Sequence, residues 1–402
     1  MKKFWSKVLI LVAAIGLMGG FSYQVFASSG ATIKQSQYTA LSASAGSNSW
    51  QTILADLLGS TKSVSALGQA ANQAIFDRNS VLASSMGTPD PSNPKSWTDS
   101  KISQLGPEYN QDKKFDKKMV PQIINWMKTL PQKNWTISSV AVPGEKGRAT
   151  FIPASSKKAS KLTVIVGQGY RTSSQLQKAS ALMIFHELGY NVLAVTANGQ
   201  EKGAGNYINF GYKDKNDWPI WINKVNKYTG KGSKQVLYGQ SMGGAVANQA
   251  AGLSDLPKSV KAVISDCSFS NLKELFSNFS QTKGSVVSSF INIDEVLNSL
   301  DDNLYNSQGF HLSDVSPMDL VKNSKLPELV IATQDDQLIP ASESQEIYNN
   351  IPSSKKQLWI LQGKVGGHAS APFAAYKYIT HVKTFLKSVD KTLVPKKATN
   401  PY

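Results

Sequence analysis

Cysteine is almost missing from this chain. Cys267 is the only one among 402 residues, so no intramolecular disulfide can form. A protein without such staples has to rest on a buried core, and a large domain does this more easily than a small one. Hydrophobic residues make up 41% of the sequence, enough for one large decorated domain or for two domains. Histidine is scarce as well, at four. No His, Asp or Glu cluster has the spacing of metal ligands, so neither a metal nor another cofactor is expected. Beyond the first residues, no apolar run is long enough to cross a bilayer. Zinc-ligand spacings and RNA-binding sheet motifs are absent and the lysines are dispersed, which disfavours nucleic acid as a partner.

What is present starts with a leader. Lys2, Lys3 and Lys7 give a basic start, Val8 to Phe21 an apolar run, and Val25-Phe26-Ala27 a small-residue cleavage signal. That layout predicts a secretory signal over residues 1–27, hence a secreted or cell-surface protein. An uncleaved anchor is the alternative, and the lack of a nearby cysteine excludes a lipidated one. Formal net charge is +16, or 16 − 3 = +13 without the leader lysines. Such a balance favours anionic neighbours, such as cell-wall polymers or a membrane surface. Solubility with loose surface adhesion is the plainer reading of the same charge.

Residues 28–134 are rich in Ser, Ala, Gly, Lys and Asn and show no strand pattern. Helical spacing is present at Trp50–Leu58 and around Val64–Leu82, a loop is expected over Gly87–Asp99, and Lys113, Lys114, Lys117 and Lys118 read as a solvated cluster. From Trp135 the pattern changes. Apolar runs of strand length occur at 162–166, 192–195, 236–238, 260–264, 329–331 and 358–361. Helical segments are expected at 175–188, 218–228, 245–253, 342–351 and 373–386. Continuous apolar strands alternating with helices predict an α/β class with a mostly parallel, doubly wound sheet. The irregular stretch of about 268–325, too long for a connection, is expected to be an inserted helical cap. The domain would then span 135–390, with a basic tail over 391–402.

Gly239-Gln240-Ser241-Met242-Gly243 follows a strand and opens a helix. A tight turn there exposes the serine hydroxyl at the sheet edge, and the flanking glycines let strand and helix close up. A nucleophilic serine needs a base. His186 and His381 fall inside expected helices and His311 in the expected cap, whereas His368 lies in a Gly-rich loop after the last strand. His368 is therefore the candidate base. The acid that orients it should follow the preceding strand, where Asp335 and Asp336 stand side by side; Asp336 is favoured because it lies just before a Pro-started helix. The order Ser…Asp…His matches the arrangement of α/β-hydrolases. Oxyanion donors are expected from the backbone N–H groups of Met242 and of Tyr170, the latter after Gly169 in the loop following the first buried strand.

Residues from about Trp135 to Leu386 resemble signal-bearing α/β-hydrolases of Gram-positive bacteria, in the serine-aminopeptidase-like branch. The stretches that carry this are Thr163–Arg171, Leu188–Val195, Gly239–Gly244, Ser265–Cys267, Ser316–Asp319, Asp336–Pro340 and Gly366–Ala369. The resemblance implies the triad Ser241, Asp336 and His368, with Met242 and Tyr170 as oxyanion donors. It also implies a small-molecule ester or peptide as substrate. The chain departs from the family by having Gln168 where a histidine is usual. Thr196–Glu201 likewise replaces an Asp-x-Arg-Gly-His-Gly stretch, and both departures bear on loop rigidity and substrate choice. The expected function is hydrolysis of an ester, or less readily an amide, through an acyl-enzyme. A weakly active or inactive envelope-binding protein on the same scaffold is the alternative.

Overall fold

The computed structural model describes residues 64–80, 100–154, 160–172, 174–186, 188–280 and 293–395. The leader, the helix expected at 50–58, the loop expected at 87–99 and the end of the tail lie outside them. The chain divides into two units, Met1–Gly87 with Lys273–Asp314, and Thr88–Leu272 with Val315–Tyr402. The longer helices among the described residues are α1 (Val64–Phe76), α2 (Asn110–Thr129), α3 (Ser174–Ala181), α4 (Trp218–Thr229), α5 (Met242–Ala251), α6 (Leu272–Ser280), α7 (Ile293–Gln308), α8 (Ala341–Asn350) and α9 (Ala375–Val389).

The larger unit is built on one sheet of β1 (Lys133–Ser138), β2 (Lys146–Ile152), β3 (Leu162–Gly167), β4 (Asn191–Thr196), β5 (Lys234–Gln240), β6 (Val260–Asp266), β7 (Glu328–Thr333) and β8 (Lys356–Leu361), in the order β1-β2-β4-β3-β5-β6-β7-β8. Strands β3 to β8 pair in parallel, and β1 and β2 are added antiparallel at one edge. The apolar runs are continuous because helices cover both faces. Val164, Val166, Ile264 and Ile331 face a core shared with α2 and α9, and Ile165, Leu237 and Val263 face one shared with α4 and α5. In α4 the fully buried Trp218 and Trp221 sit three residues apart, on one helical face. Each stabilises the fold by about 2–3 kcal/mol through burial.

Three features differ from expectation. Strands β1 and β2 form a pair at the edge, where Trp135 stacks on Phe151 at 4.1 Å between ring centroids. Helix α2 belongs to the larger unit, so the boundary expected at 134 falls inside it. Met119, Val120 and Ile123 of α2 join the core, its lysines point outward, and Asp112 accepts a hydrogen bond from the Lys377 N–H at 2.9 Å, capping α9. The excursion after β6 is also narrower than 268–325. Leu272 N–H donates to the Val315 carbonyl at 3.0 Å and Met318 N–H to the Ser270 carbonyl at 3.1 Å, closing its base. Residues 315–325 thus stay with the larger unit.

In the smaller unit α1 packs along α7. A Cβ on Gly68 would lie 2.3 Å from the Ser299 hydroxyl oxygen, so a side chain there would force the two helices apart. Asn72 donates to the Ser307 hydroxyl at 3.3 Å further along the same contact. Helix α1 and the insert after β6 are therefore packed into one unit. No helix among the described residues is long and apolar enough to cross a membrane.

Candidate active site

Ser241 occupies the turn between β5 and α5 with φ 56° and ψ −129°. That region is sparsely populated for a residue with a side chain and costs about 1–3 kcal/mol. The surroundings hold it there. Ser241 N–H donates to the Asp266 carbonyl at 2.8 Å, and its own carbonyl accepts the Ala245 N–H at 3.1 Å. A Cβ on Gly239 would meet the Gly243 backbone at 2.1 Å, and one on Gly243 would meet the Gly167 carbonyl at 2.1 Å. Only glycines let strand, turn and helix close to this distance.

The Gly-rich loop after β8 brings the His368 ring to the serine, with Nε2 2.9 Å from the Ser241 hydroxyl oxygen. Its Nδ1 lies 2.8 Å from Oδ2 of Asp336. Oδ1 of Asp336 in turn accepts the N–H groups of Leu338 and Ile339, both at 2.9 Å. The Asp336 side chain is 1% exposed and that of His368 is 16%. Asp335 takes a different role: its Oδ2 accepts the N–H groups of Val365 at 2.8 Å and Gly366 at 2.9 Å. One acid of the pair holds the ring and the other holds the loop that carries the ring. Gly366 and Gly367 have φ of 106° and 74°, so the sharp course of this loop requires them.

The loop after β3 lies beside the serine turn, since Gly167 and Gly239 are register partners. Met242 opens α5, so its N–H is among the first-turn donors that find no acceptor within the helix. The Tyr170 ring stacks on Phe210 at 5.1 Å, and Arg171 Nε donates to the Tyr170 hydroxyl at 3.0 Å. Two glutamines, Gln168 and Gln200, fasten this loop. Gln168 donates to the Thr172 carbonyl at 2.6 Å and accepts the Ala197 N–H at 2.9 Å. Gln200 donates to the Gly169 carbonyl at 3.1 Å and accepts the Arg171 N–H.

The other histidines have structural surroundings. His381 stacks on Trp359 at 4.2 Å, and burial lowers its pKa. Burial also lowers that of His186, in the turn that continues α3. In the smaller unit, His311 lies 2.9 Å from Asp301 and stacks on Tyr305.

Sequence reasoning gave no role to Asp266 or Cys267, at the end of β6. Asp266 is fully buried, and the Cys267 sulfur, an Asp336 oxygen and a His368 nitrogen lie within 4.8 Å of one another. This is the one group of potential metal ligands among the described residues. Two of its members, Asp336 and His368, are hydrogen-bonded to each other and through the ring to Ser241. Burial first, then the charges of Asp266 and Asp336, push the Cys267 thiol well up. The signal for Asp266 was an acid at the carboxyl end of an apolar parallel strand, where open α/β sheets bind their ligands.

No family model matches the chain. An uncharacterised protein of Bacillus subtilis, YqkD, is 24% identical over 231 residues, which span 58% of this chain and 70% of that protein. Among solved structures, the esterase Pf2001 of Pyrococcus furiosus matches with a TM-score of 0.50 at 18% identity, covering 65% of this chain and 93% of its own. Acylaminoacyl peptidase of Pyrococcus horikoshii matches with a TM-score of 0.44 at 19% identity, covering 67% and 43%. With the sheet order above, the match to the esterase shows that the chain has the α/β-hydrolase fold.

Proposed function

We propose that the protein is a serine hydrolase that cleaves an ester, or less readily an amide, through an acyl-enzyme. The observation that carries this is the unbroken row Ser241–His368–Asp336, 2.9 Å and 2.8 Å between partners, ending on a serine held in a strained turn. In the reaction the Ser241 oxygen bonds to the substrate carbonyl carbon as His368 Nε2 takes the hydroxyl proton. The carbonyl electron pair moves onto oxygen, where the N–H groups of Met242 and Tyr170 stabilise the charge. Collapse breaks the bond to the leaving group, which takes the proton from Nε2, and water then repeats the sequence on the acyl-enzyme. Asp336 keeps the imidazole in the right tautomer and stabilises its protonated form.

Esters are favoured because a simple acyl site suffices, and the named esterase with the same fold is consistent with that. The branch resembled in the sequence and the leader over residues 1–27 support placing this activity outside the cytoplasm. There the positive balance would favour association with anionic wall or membrane surfaces. The direct test is a fluorophosphonate probe with a panel of p-nitrophenyl esters of increasing acyl length. The wild type is expected to be labelled and to turn over one or more esters, and Ser241→Ala to do neither. Labelling that survives the substitution would overturn the assignment.

A further inference from the structure

Asp266 joins the two halves of the site. Its backbone carbonyl accepts the Ser241 N–H at 2.8 Å. Its side-chain Oδ2 accepts Nε2 of Gln240 at 3.0 Å and the Tyr378 hydroxyl at 3.1 Å. The same Gln240 nitrogen lies 3.4 Å from the carbonyl oxygen of Ala369. Gln240 precedes the serine and Ala369 follows the histidine, so this carboxylate and one amide link the nucleophile turn to the imidazole loop. Oδ1 of Asp266 is buried without a hydrogen-bond partner. A fold gains nothing from a buried carboxylate oxygen left in that state, and such a group calls for an explanation.

We propose that Asp266 is a positioning residue of the hydrolytic site, which locks the serine turn to the histidine loop through Gln240 and whose negative charge supports protonated His368. This rests on the serine-hydrolase reading and deepens it. The groups facing Asp266 are His368 from the loop after β8, Asp336 from the loop after β7, Tyr378 of α9, Tyr238 of β5 and its own neighbour Cys267. Burial pushes its carboxyl up to about 7, while the bonds from Tyr378 and Gln240 and the charge of His368 oppose that rise and Asp336 adds to it. Asp266 is therefore charged on the alkaline side of neutrality, where His368 must be neutral to accept the serine proton. When that proton arrives, the imidazolium has the Asp336 carboxylate on its Nδ1 and the charge of Asp266 behind it.

The test compares Asp266→Asn with the wild type in the full-length protein. The amide oxygen of Asn can still accept from Gln240 and Tyr378, so the bonds can persist while the charge is lost. Three results are expected. kcat/KM at pH 7.5 falls about 10-fold or more with KM little changed, as for other charge-positioning groups. The acid-side midpoint of the pH–rate profile falls by about one unit, because an attractive charge near His368 is gone. The melting temperature at pH 8 does not fall, since a buried charge has been removed.

A loss of rate that only accompanies a lower melting temperature, with the midpoint unmoved, would reduce Asp266 to packing and overturn the proposal. The imidazole titration of His368, followed by NMR in the Ser241→Ala background, gives a readout independent of turnover. Asp266→Asn is expected to lower it by about one unit, and an unchanged titration overturns the electrostatic role. Absence of fluorophosphonate labelling in the wild type would instead strike the hydrolase reading, so the two failures are distinguishable.

Discussion

At the carboxyl end of the sheet, Asp336 is buried with both oxygens engaged, one by the His368 ring and the other by two backbone N–H groups. On α2, Asp116 is equally buried, yet neither of its oxygens has a hydrogen-bond partner. Burial, with the charge of Asp112 one turn earlier adding to it, pushes Asp116 up to about 9. At neutral pH it is an uncharged acid. The two regions bury the same side chain to the same depth. What separates a carboxylate that can serve an imidazole from an inert one is the supply of donors. Two further buried acids have some donors. Glu328 takes the Ser265 hydroxyl and is raised to about 8, and Asp214, which takes the Asn198 N–H and is also favoured by the Asn209 side chain, is raised to about 7, by burial first in both cases.

The largest effect is expected where the donors are. Asp336→Asn should lower kcat about 10⁴-fold by favouring the wrong tautomer of His368. Asp335→Asn, whose amide oxygen can still accept from Val365 and Gly366, should stay within about 10-fold of wild type. Equal losses in ester turnover would erase the division of labour between the two acids.

Asp116→Asn is next, and the sign follows from proton linkage. The folded-state value lies above the unfolded one, so the folded protein holds a proton that the unfolded chain has released between about 4 and about 9. The stabilising contribution of that proton is complete below the unfolded value and is lost as pH rises through the folded one. The substitution should therefore raise the unfolding free energy at pH 8 by about 1–3 kcal/mol. The gain should shrink toward zero near pH 4. A gain equal at both pH values in urea titrations would detach it from the charge.

Smallest are Glu328→Gln, which keeps its Ser265 donor, and Asp214→Asn, which keeps the Asn198 N–H. Gains of about 0.5–1 kcal/mol at pH 8.5 are expected, ranked Glu328 above Asp214. A reversed ranking by the same titrations would break the scale of donors.

Much of the core was legible because burial on two faces leaves an unbroken apolar run. Thr163-Val-Ile-Val166 and its counterparts in β4 to β8 announce themselves. Strands β1 and β2 were not, since Lys133–Ser138 is an edge strand half open to water and its pattern is diluted by polar residues. Helix α2 was hidden by its lysines and by Pro121 inside it. Ser241 was legible from its glycines, which the turn needs for close approach, and His368 by elimination among four. Asp336 was favoured over Asp335 by its place before Pro340, but the separate task of Asp335, holding the Val365 and Gly366 N–H groups, depends on a loop thirty residues away and has no local pattern. Asp266 escaped because its role depends on Gln240, Tyr378 and Ala369, which come together only in the folded sheet.

The close crossing of α1 and α7 at Gly68 has a bearing on how the protein is made. Helix α1 emerges from the ribosome more than two hundred residues before the helix it packs on. Most of the sheet is synthesised in that interval, and the smaller unit cannot be completed until Ile293–Gln308 has followed. Its first helix waits as an unpartnered segment while β1 to β6 are made, and β7 and β8, which complete the sheet, follow only after its partner helix.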